Sequence, residues 1–363
     1  MEIKINNRVI DENSPVFIVA ELSANHNQSF DIAVKTIKAM KEAGADAVKF
    51  QTYTPDTMTI DCDNKYFKIN QGTIWDGKTF YELYKEAYTP WEWQPELKKI
   101  AENLGLICFS TPFDKTSVDF LEKMDVSCYK IASFEITDIP LIEYVASKGK
   151  PVIISTGIAI LGDIKEAINA CKNMGNNDII LLKCTSSYPT PYEEINLKTI
   201  PDMAKRFKCL VGLSDHTLGI SVPIASVAMG ARIIEKHFIL DRKLGGPDAT
   251  FSLEPEEFKQ MVKSVREVEK ALGEVSYRLT EKMKKSRESS RSLFAVKDIK
   301  KGEVLTKDNI KSIRPGYGLH PKYLNKILDK KAKISIKKGT PLSFKLIKIN
   351  NLPISKDFEG RVN

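Results

Sequence analysis

Two of the four histidines in this chain stand at the ends of short apolar runs. His216 follows Leu210-Val211-Gly212-Leu213-Ser214, and His237 follows Arg232-Ile233-Ile234-Glu235-Lys236. A parallel strand that ends in a polar side chain delivers it to the mouth of a sheet or barrel. Two imidazoles on neighbouring strand ends would therefore face one point and could share a metal ion. A carboxylate joins them from the other end of the chain, because Glu21 closes the run Val16-Phe17-Ile18-Val19-Ala20. No cysteine cluster accompanies the histidines, which argues against a closed structural zinc site. An open site completed by water and a substrate oxygen suits a Lewis acid such as Mn2+ or Mg2+, with Co2+ a further candidate. Glu21 beside such an ion is either a base that handles water or the partner of a salt bridge to Lys49.

A second group of strand-end residues has the chemistry of an anion site. Lys49, Lys130, Thr111, Ser133 and Ser155 supply ammonium and hydroxyl donors, the mixture that a phosphate needs. Some of these hydroxyls are equally suited to capping the helices that follow. Capping does not account for lysine, glutamate and histidine within otherwise β-branched runs, where an unpartnered charge is costly. The loop Gly245-Gly246-Pro247-Asp248 could approach sugar hydroxyls closely, with Asp248 accepting from them; a plain turn is the alternative.

These residues need elements that bring them to one place. Residues 2–10 alternate around Asn6-Asn7 and predict a small hairpin. Apolar runs at 16–21, 47–51, 106–110, 128–132, 151–155, 179–184, 209–214 and 232–237 then alternate with amphipathic segments. The segments lie near 29–43, 90–104, 115–124, 138–148, 162–174, 195–207, 219–230 and 254–271. Eight strand–helix units at this spacing predict an α/β fold of the (β/α)8 TIM-barrel type, which typically takes ~250 residues. A doubly wound open sheet is the competing layout, but it usually carries a glycine fingerprint after its first strand, and Glu21-Leu22-Ser23-Ala24-Asn25 is not one. One connection is anomalous: Thr52 to Thr89 is long and rich in aromatics, with a predicted helix at 78–87. A loop of that length over the mouth reads as a lid or substrate wall.

The predicted domain plan is a catalytic barrel with its hairpin over 1–273, a charged linker over 274–290, a small unit over 291–349 and a tail over 350–363. The small unit shows strand signals at 292–296 and 333–336, Lys-Gly turns, and the loop Arg314-Pro315-Gly316-Tyr317-Gly318. At about 60 residues it is near the lower limit of independent stability, so it is expected to dock on something.

The bulk properties exclude several classes. At 42% apolar and 28% charged over 363 residues, the composition is that of an ordinary globular protein. No stretch reaches the ~20 apolar residues of a membrane span, and the first fifteen residues carry Glu2, Asp11 and Glu12 without an apolar signal core. The six cysteines are scattered, consistent with buried thiols in a reducing cytoplasm. The net charge of +8 comes mainly from lysines after Lys282, without interleaved aromatics or a nucleic-acid motif. An anionic small substrate fits that sign better than nucleic acid.

At the strand ends the chain resembles the sialic acid synthase family. The resemblance rests on Ala20-Glu21-Leu22-Ser23-Ala24-Asn25-His26-Asn27, Lys49-Phe50-Gln51-Thr52, Ser110-Thr111-Pro112-Phe113-Asp114, Lys130-Ile131-Ala132-Ser133, Ile154-Ser155-Thr156-Gly157, Leu213-Ser214-Asp215-His216-Thr217 and Glu235-Lys236-His237-Phe238. The segment Ser292 to Leu342 is similar to that family's antifreeze-like (SAF, β-clip) domain, so nearly the whole chain is covered. The resemblance implies condensation of phosphoenolpyruvate with an open-chain N-acylated amino sugar, giving a nonulosonic acid and phosphate by C–O cleavage. It implies metal binding by His216 and His237, phosphate binding by Lys130, Thr111, Ser133 and Ser155 with Lys49 nearby, and an acid/base role for Glu21. It also places Gln51, Ser186, Tyr188 and Asp248 among the substrate-binding residues. Arg314 is implied to reach the N-acyl group in the barrel of a second subunit, which predicts a swapped homodimer.

The chain departs from neuraminic members at Ser186, where they commonly carry asparagine. Gly72-Thr73-Ile74-Trp75-Asp76-Gly77-Lys78 and Tyr88-Thr89-Pro90-Trp91-Glu92-Trp93 resemble the pseudaminic branch instead. That branch implies 2,4-diacetamido-2,4,6-trideoxy-β-L-altropyranose as the sugar. N-acetylneuraminic or legionaminic acid formation is the alternative within the family. A metal-dependent aldolase and a glycan-binding protein are the alternatives outside it.

Overall fold

An Asn6-Asn7 turn joins β1 (Ile3–Ile5) to β2 (Arg8–Ile10), with Asn6 at φ 51°, a left-handed conformation that asparagine tolerates. Eight parallel strands follow: β3 (Phe17–Glu21), β4 (Ala47–Thr52), β5 (Ile107–Pro112), β6 (Tyr129–Ile131), β7 (Val152–Ser155), β8 (Ile179–Lys183), β9 (Leu210–Asp215) and β10 (Ile233–His237). They pair in sequence order, and β10 pairs back onto β3, so the sheet is a closed barrel and the open doubly wound layout is excluded. The computed structural model describes residues 1–70 and 72–349, so the proposed tail at 350–363 lies outside the described residues.

Helices cover the barrel. They are α1 (Phe30–Glu42), α4 (Gln94–Asn103), α5 (Lys115–Lys123), α6 (Ile139–Ala146), α7 (Leu161–Asn173), α8 (Thr199–Phe207), α9 (Ser221–Ala228) and α10 (Pro255–Leu272), while the short α2 (Pro55–Met58) and α3 (Phe80–Ala87) lie within the long β4–α4 connection. Their starts follow local chemistry. Asp114 caps α5 by accepting from the Thr116 and Ser117 amides, and Ser29 caps α1. Helix α8 begins later than the periodicity predicts, because Asn196 sits at φ 51° and breaks the helical path before Thr199.

Strand alternation divides the side chains of the barrel into two sets. The outward set, including Ile18, Val48, Phe50, Ile154 and Ile234, packs against the helices. The inward set begins at the N-terminal end with Phe17, Val19, Phe109, Ile153, Leu182 and Ile233, which cluster with Ile3, Ile5 and Ile10 of the hairpin. The hairpin therefore stoppers the bottom with hydrocarbon. One or two inward positions higher, the same strands carry Glu21, Lys49, Thr111, Lys130, Ser155 and Glu235, all buried. The polar residues can sit there because the barrel opens at its C-terminal end.

The outward set contains one ion pair of its own. Lys236 and Asp215 are register partners, both fully buried, with Nζ 2.6 Å from Oδ2. Lys236 also donates to the Thr217 carbonyl, and Asp215 accepts from the Thr217 amide and hydroxyl.

The second unit begins at Glu274. Its first segment, read as linker, contains the short helix α11 (Glu281–Arg287), started by the Thr280 hydroxyl accepting from the Met283 amide. Strand β11 (Ser292–Ala295) then pairs antiparallel with β12 (Ile310–Ile313), and α12 (Leu324–Ile327) follows. The strand expected at 333–336 is absent. Ala332 and Ile336 are buried but Ile334 between them is 49% exposed, so the period-two inward face is missing and Ile336 makes only an isolated bridge to Ile299. Among the described residues no helix is long and apolar enough to cross a membrane.

Asp215→Ala should leave the Lys236 ammonium buried without its counter-charge and lower stability by about 3–5 kcal/mol, read by denaturant titration. Replacing both members by methionine and leucine should cost far less; equal losses would contradict the pair's structural role.

Candidate active site at the barrel mouth

The inward residues of β3, β4 and β10 form a chain of alternating charge. Register sets it, because β10 pairs His237 with Glu21 and β3 pairs Glu21 with Lys49. The Lys49 ammonium is in direct contact with Glu21 Oε2, lies 3.6 Å from Glu235 Oε1 and donates to the Thr111 hydroxyl at 3.2 Å. Ser214 donates to the same Glu235 oxygen at 3.1 Å. Burial pushes the Glu21 carboxyl up to about 7 despite the ammonium beside it, with the Glu235 charge adding to the shift. Burial acts on Lys49 in the opposite sense, but the two carboxylates outweigh it and hold the ammonium charged. Burial would also raise Glu235, yet Lys130 and Lys49 bring it below the ordinary value. Glu21 therefore changes protonation near neutrality while its neighbours keep their charges.

Lys130 is different. Its ammonium donates to the Ser155 hydroxyl at 2.6 Å and to the Ile131 carbonyl at 3.0 Å, both neutral acceptors. Among the described residues no carboxylate forms an ion pair with it, and burial lowers its proton affinity. A buried ammonium held by one hydroxyl and one carbonyl, with no carboxylate directly paired to it, is prepared for an anionic ligand. Next to it Ser133 accepts from the Gly157 amide at 3.0 Å, and the Ser186 hydroxyl is buried. Gly157 is required there: a Cβ would collide with the Ser186 hydroxyl and come within 2.6 Å of Ser133 Oγ.

The two histidines meet as their strand ends predicted, with ring centroids 5.3 Å apart and planes at 65°. His216 Nδ1 donates to the Thr185 carbonyl at 3.2 Å, and although burial opposes its charge, the Cys184 thiol beside it raises the ring's proton affinity above the ordinary value. Among the described residues the buried His237 Nδ1 has no hydrogen-bond partner, and it stands 3.8 Å from Asp248 Oδ2. Burial, reinforced by His216, holds the His237 imidazole neutral, far below its ordinary value. Among the described residues no three His, Cys, Asp or Glu side chains form a metal-binding cluster. Two neutral-capable imidazoles, one with its second nitrogen tied to a carbonyl and one with an orphaned nitrogen, fit a cation whose other positions belong to water and substrate.

Asp248 is buried, accepts from Ser23, and through Ser23 connects to Gln51, whose Nε2 donates to the same hydroxyl at 2.9 Å. Tyr188 leans on His216 with centroids 4.4 Å apart. Glu21, Lys49, Gln51, Thr111, Lys130, Ser133, Ser155, Ser186, Tyr188, His216, His237 and Asp248 thus line one end of the barrel.

Arg314 belongs to the second unit. It is exposed at the end of β12 and makes no hydrogen bond or ion pair among the described residues. Its loop is firmly built: Ser292 donates to the Pro315 carbonyl at 2.6 Å and accepts from the Gly318 amide at 2.8 Å.

Three participants carried no role in the sequence reading. Glu235 lies two residues before His237 on the same inward parity, so alternation alone could have found it, whereas Ser23 follows the end of β3 in a left-handed turn at φ 45°, where alternation no longer applies. Glu135, in the turn after β6, has a buried oxygen without a partner, and burial raises its carboxyl to about 7. No spacing rule points to it. Conversely Lys183, a strand-end lysine, faces outward into a groove of about 480 Å3 lined by Asn196, Lys198 and Asp202.

The NeuB family matches residues 36–277, and the SAF domain matches residues 290–348. The pseudaminic acid synthase of Campylobacter jejuni subsp. jejuni serotype O:2 is 49% identical over 327 residues, covering 90% of this chain and 95% of that protein. The pseudaminic acid synthase of Helicobacter pylori is 48% identical over 330 residues, covering 91% of this chain and 97% of that protein. The crystal structure of N-acetylneuraminic acid (sialic acid) synthetase from Leptospira borgpetersenii serovar Hardjo-bovis, in complex with citrate, has a TM-score of 0.71 at 33% identity, covering 79% of this chain and 95% of that one. With this identity along most of its length and the family matched over most of the barrel, the chain belongs to the NeuB family and carries a SAF domain after its barrel.

Proposed function

We propose that this chain is a pseudaminic acid synthase, condensing phosphoenolpyruvate with 2,4-diacetamido-2,4,6-trideoxy-β-L-altropyranose to give pseudaminic acid and inorganic phosphate. The observation that carries the reading is the buried Lys130 ammonium, held by the Ser155 hydroxyl and the Ile131 carbonyl with no ion pair among the described residues, in the same barrel mouth as the imidazole pair. A glycan-binding scaffold has no use for either feature, and an aldolase acting on pyruvate would bind a carboxylate there and release no phosphate. The relatives' names and their near-half identity support the choice of sugar.

In this reading Lys130, Ser155, Ser133 and Thr111 receive the phosphate, and Lys49 balances the charge between it and the carboxylates. Gln51, Ser186, Tyr188 and Asp248 bind and orient the substrates. His216 and His237 would hold a divalent cation, Mn2+ or Mg2+, which when bound supplies Lewis-acid polarisation of the sugar aldehyde. The methylene carbon of phosphoenolpyruvate bonds to the aldehyde carbon, whose oxygen becomes a hydroxyl. Water adds to the resulting cationic C2, and Glu21 takes a proton from it. The C2–O bond to phosphate then breaks, so phosphate leaves and a ketone forms at C2. Orientation of the two reactants within the mouth contributes as much as any single proton transfer.

Arg314, presented on a rigid loop with nothing bound to it, would reach the N-acyl group in the barrel of a second subunit, making a swapped homodimer the working assembly. The six cysteines are all free thiols, in keeping with a cytoplasmic setting.

Inorganic phosphate should appear only when phosphoenolpyruvate and the sugar are both supplied, and chelation of divalent cations should abolish it. Phosphate release without sugar, or a pyruvate requirement, would reject the synthase reading. A base must be ionised, so kcat/KM should fall as pH drops through about 7, where Glu21 takes up its proton. Glu21→Gln should lower kcat about 100- to 10,000-fold and remove that limb of the profile. Retention of the limb in the variant would assign it to another group.

A further inference from the structure

We propose that Trp75 selects the sugar, closing the mouth as an apolar wall that favours an amino sugar ending in a methyl group over one ending in a hydroxymethyl group. The proposal rests on the synthase reading above and adds to it the residue that sets substrate class.

Trp75 lies in the long connection between β4 and α4, on a turn held by local hydrogen bonds: Asp76 accepts from the Gly72 amide at 2.9 Å and from the Thr73 amide at 3.0 Å, and Thr73 Oγ1 accepts from the Trp75 amide at 3.3 Å. The base of the turn is tied by backbone bonds from the Ile69 amide to the Lys78 carbonyl at 2.9 Å and from the Gly77 amide to the Ile69 carbonyl at 3.1 Å. The turn delivers the indole across the mouth, where Nε1 donates to the Pro247 carbonyl at 2.9 Å.

Pro247 precedes Asp248 in the connection after β10. That connection is itself anchored, because Asn27 Nδ2 donates to the Leu244 carbonyl at 2.9 Å and Asn27 Oδ1 stands where any Cβ on Gly246 would fall. The latch thus joins the β4–α4 connection to a fixed point beside the imidazole pair.

The indole spends its only polar atom on that bond, so what it offers the cavity is hydrocarbon. The neighbouring surface continues in kind. The Trp75 ring is 5.3 Å from Tyr188, Tyr188 is 4.4 Å from His216, and Phe251 is 5.3 Å from Tyr188 and 5.0 Å from His237. A sugar whose aldehyde end is at the imidazoles would extend past Tyr188 toward Trp75, the ring of this set that stands off from the imidazoles. A methyl group packs on the indole, whereas a hydroxyl there would lose its water and find no partner, because the indole nitrogen is already bonded to Pro247. An apolar pocket rejects an added hydroxyl by no more than about a hundredfold, which sets the scale of the expected preference.

The test compares kcat/KM for the 6-deoxy diacetamido sugar with that for its 6-hydroxy counterpart, using the full chain loaded with Mn2+ and saturating phosphoenolpyruvate. Wild type should prefer the deoxy sugar by about tenfold to a hundredfold. Trp75→Ala should bring the ratio to within about threefold of unity, with the KM for phosphoenolpyruvate and the melting temperature unchanged. Trp75→Phe, which keeps a ring but loses the bond to Pro247, should retain most of the preference. A ratio that survives in Trp75→Ala, or a KM for phosphoenolpyruvate that rises as much as the sugar KM, would overturn the assignment. If wild type releases phosphate with neither sugar, the synthase reading fails and the selectivity role falls with it. If wild type turns over both sugars and the substitution changes nothing, only the role of Trp75 is lost.

Discussion

Lys49 holds its ammonium between the carboxylates of Glu21 and Glu235 inside a barrel whose lower half is hydrocarbon. Taking three charges out of water is expensive, and mutual attraction offsets the cost only where the geometry is good and the remaining polar atoms find partners. Here they do so incompletely: Glu21 Oε1 and Glu235 Oε2 are buried without hydrogen bonds. Lys236 on β10 and Asp215 on β9 are the contrast, because their outward-facing pair is closed off by Thr217.

The same mouth divides into zones by chemistry. The β6 and β7 side, with Lys130 and Ser155, is cationic and rich in hydroxyls. The β9 and β10 side carries the imidazoles, Asp248 and the aromatic rings. An anion settling on the first side satisfies the ammonium that lacks a counter-ion, and a reactant lying across the boundary has one end near each set of groups. The distances between zones are those of one barrel interior, so the two reactants of a condensation are brought together by register alone.

Much of this was legible in the sequence, for a geometric reason. In a parallel barrel each strand ends at the same face, so polar residues at the ends of apolar runs converge whatever their separation along the chain. Glu21 and His237 are 216 positions apart by number yet are direct register partners. Strand parity, applied further, would have recovered Glu235 and would have placed Lys183 outside, whereas Ser23 sits past the end of β3 in a left-handed turn. Glu135 was beyond reach because it sits in a 3-10 turn, where burial depends on tertiary packing instead of a repeating period. The strand expected at 333–336 failed for the related reason that burial there does not follow the apolar spacing: Ile334 and Ile336 alternate in sequence, yet Ile334 is exposed and the buried residues, Ala332 and Ile336, are four apart. The aromatic connection after β4 could be recognised as unusual, but the bond from Trp75 to Pro247 joins residues with no pattern in common.

The central claim is that one cavity holds both a cation-binding imidazole pair and a phosphate-binding ammonium. Anomalous diffraction from crystals soaked with Mn2+ and phosphoenolpyruvate tests it most directly. A manganese peak shared by His216 and His237, with the phosphate against Lys130 and Ser155 in the same cavity, is the predicted result. Manganese bound elsewhere, or a phosphate that leaves Lys130 untouched, would contradict the account.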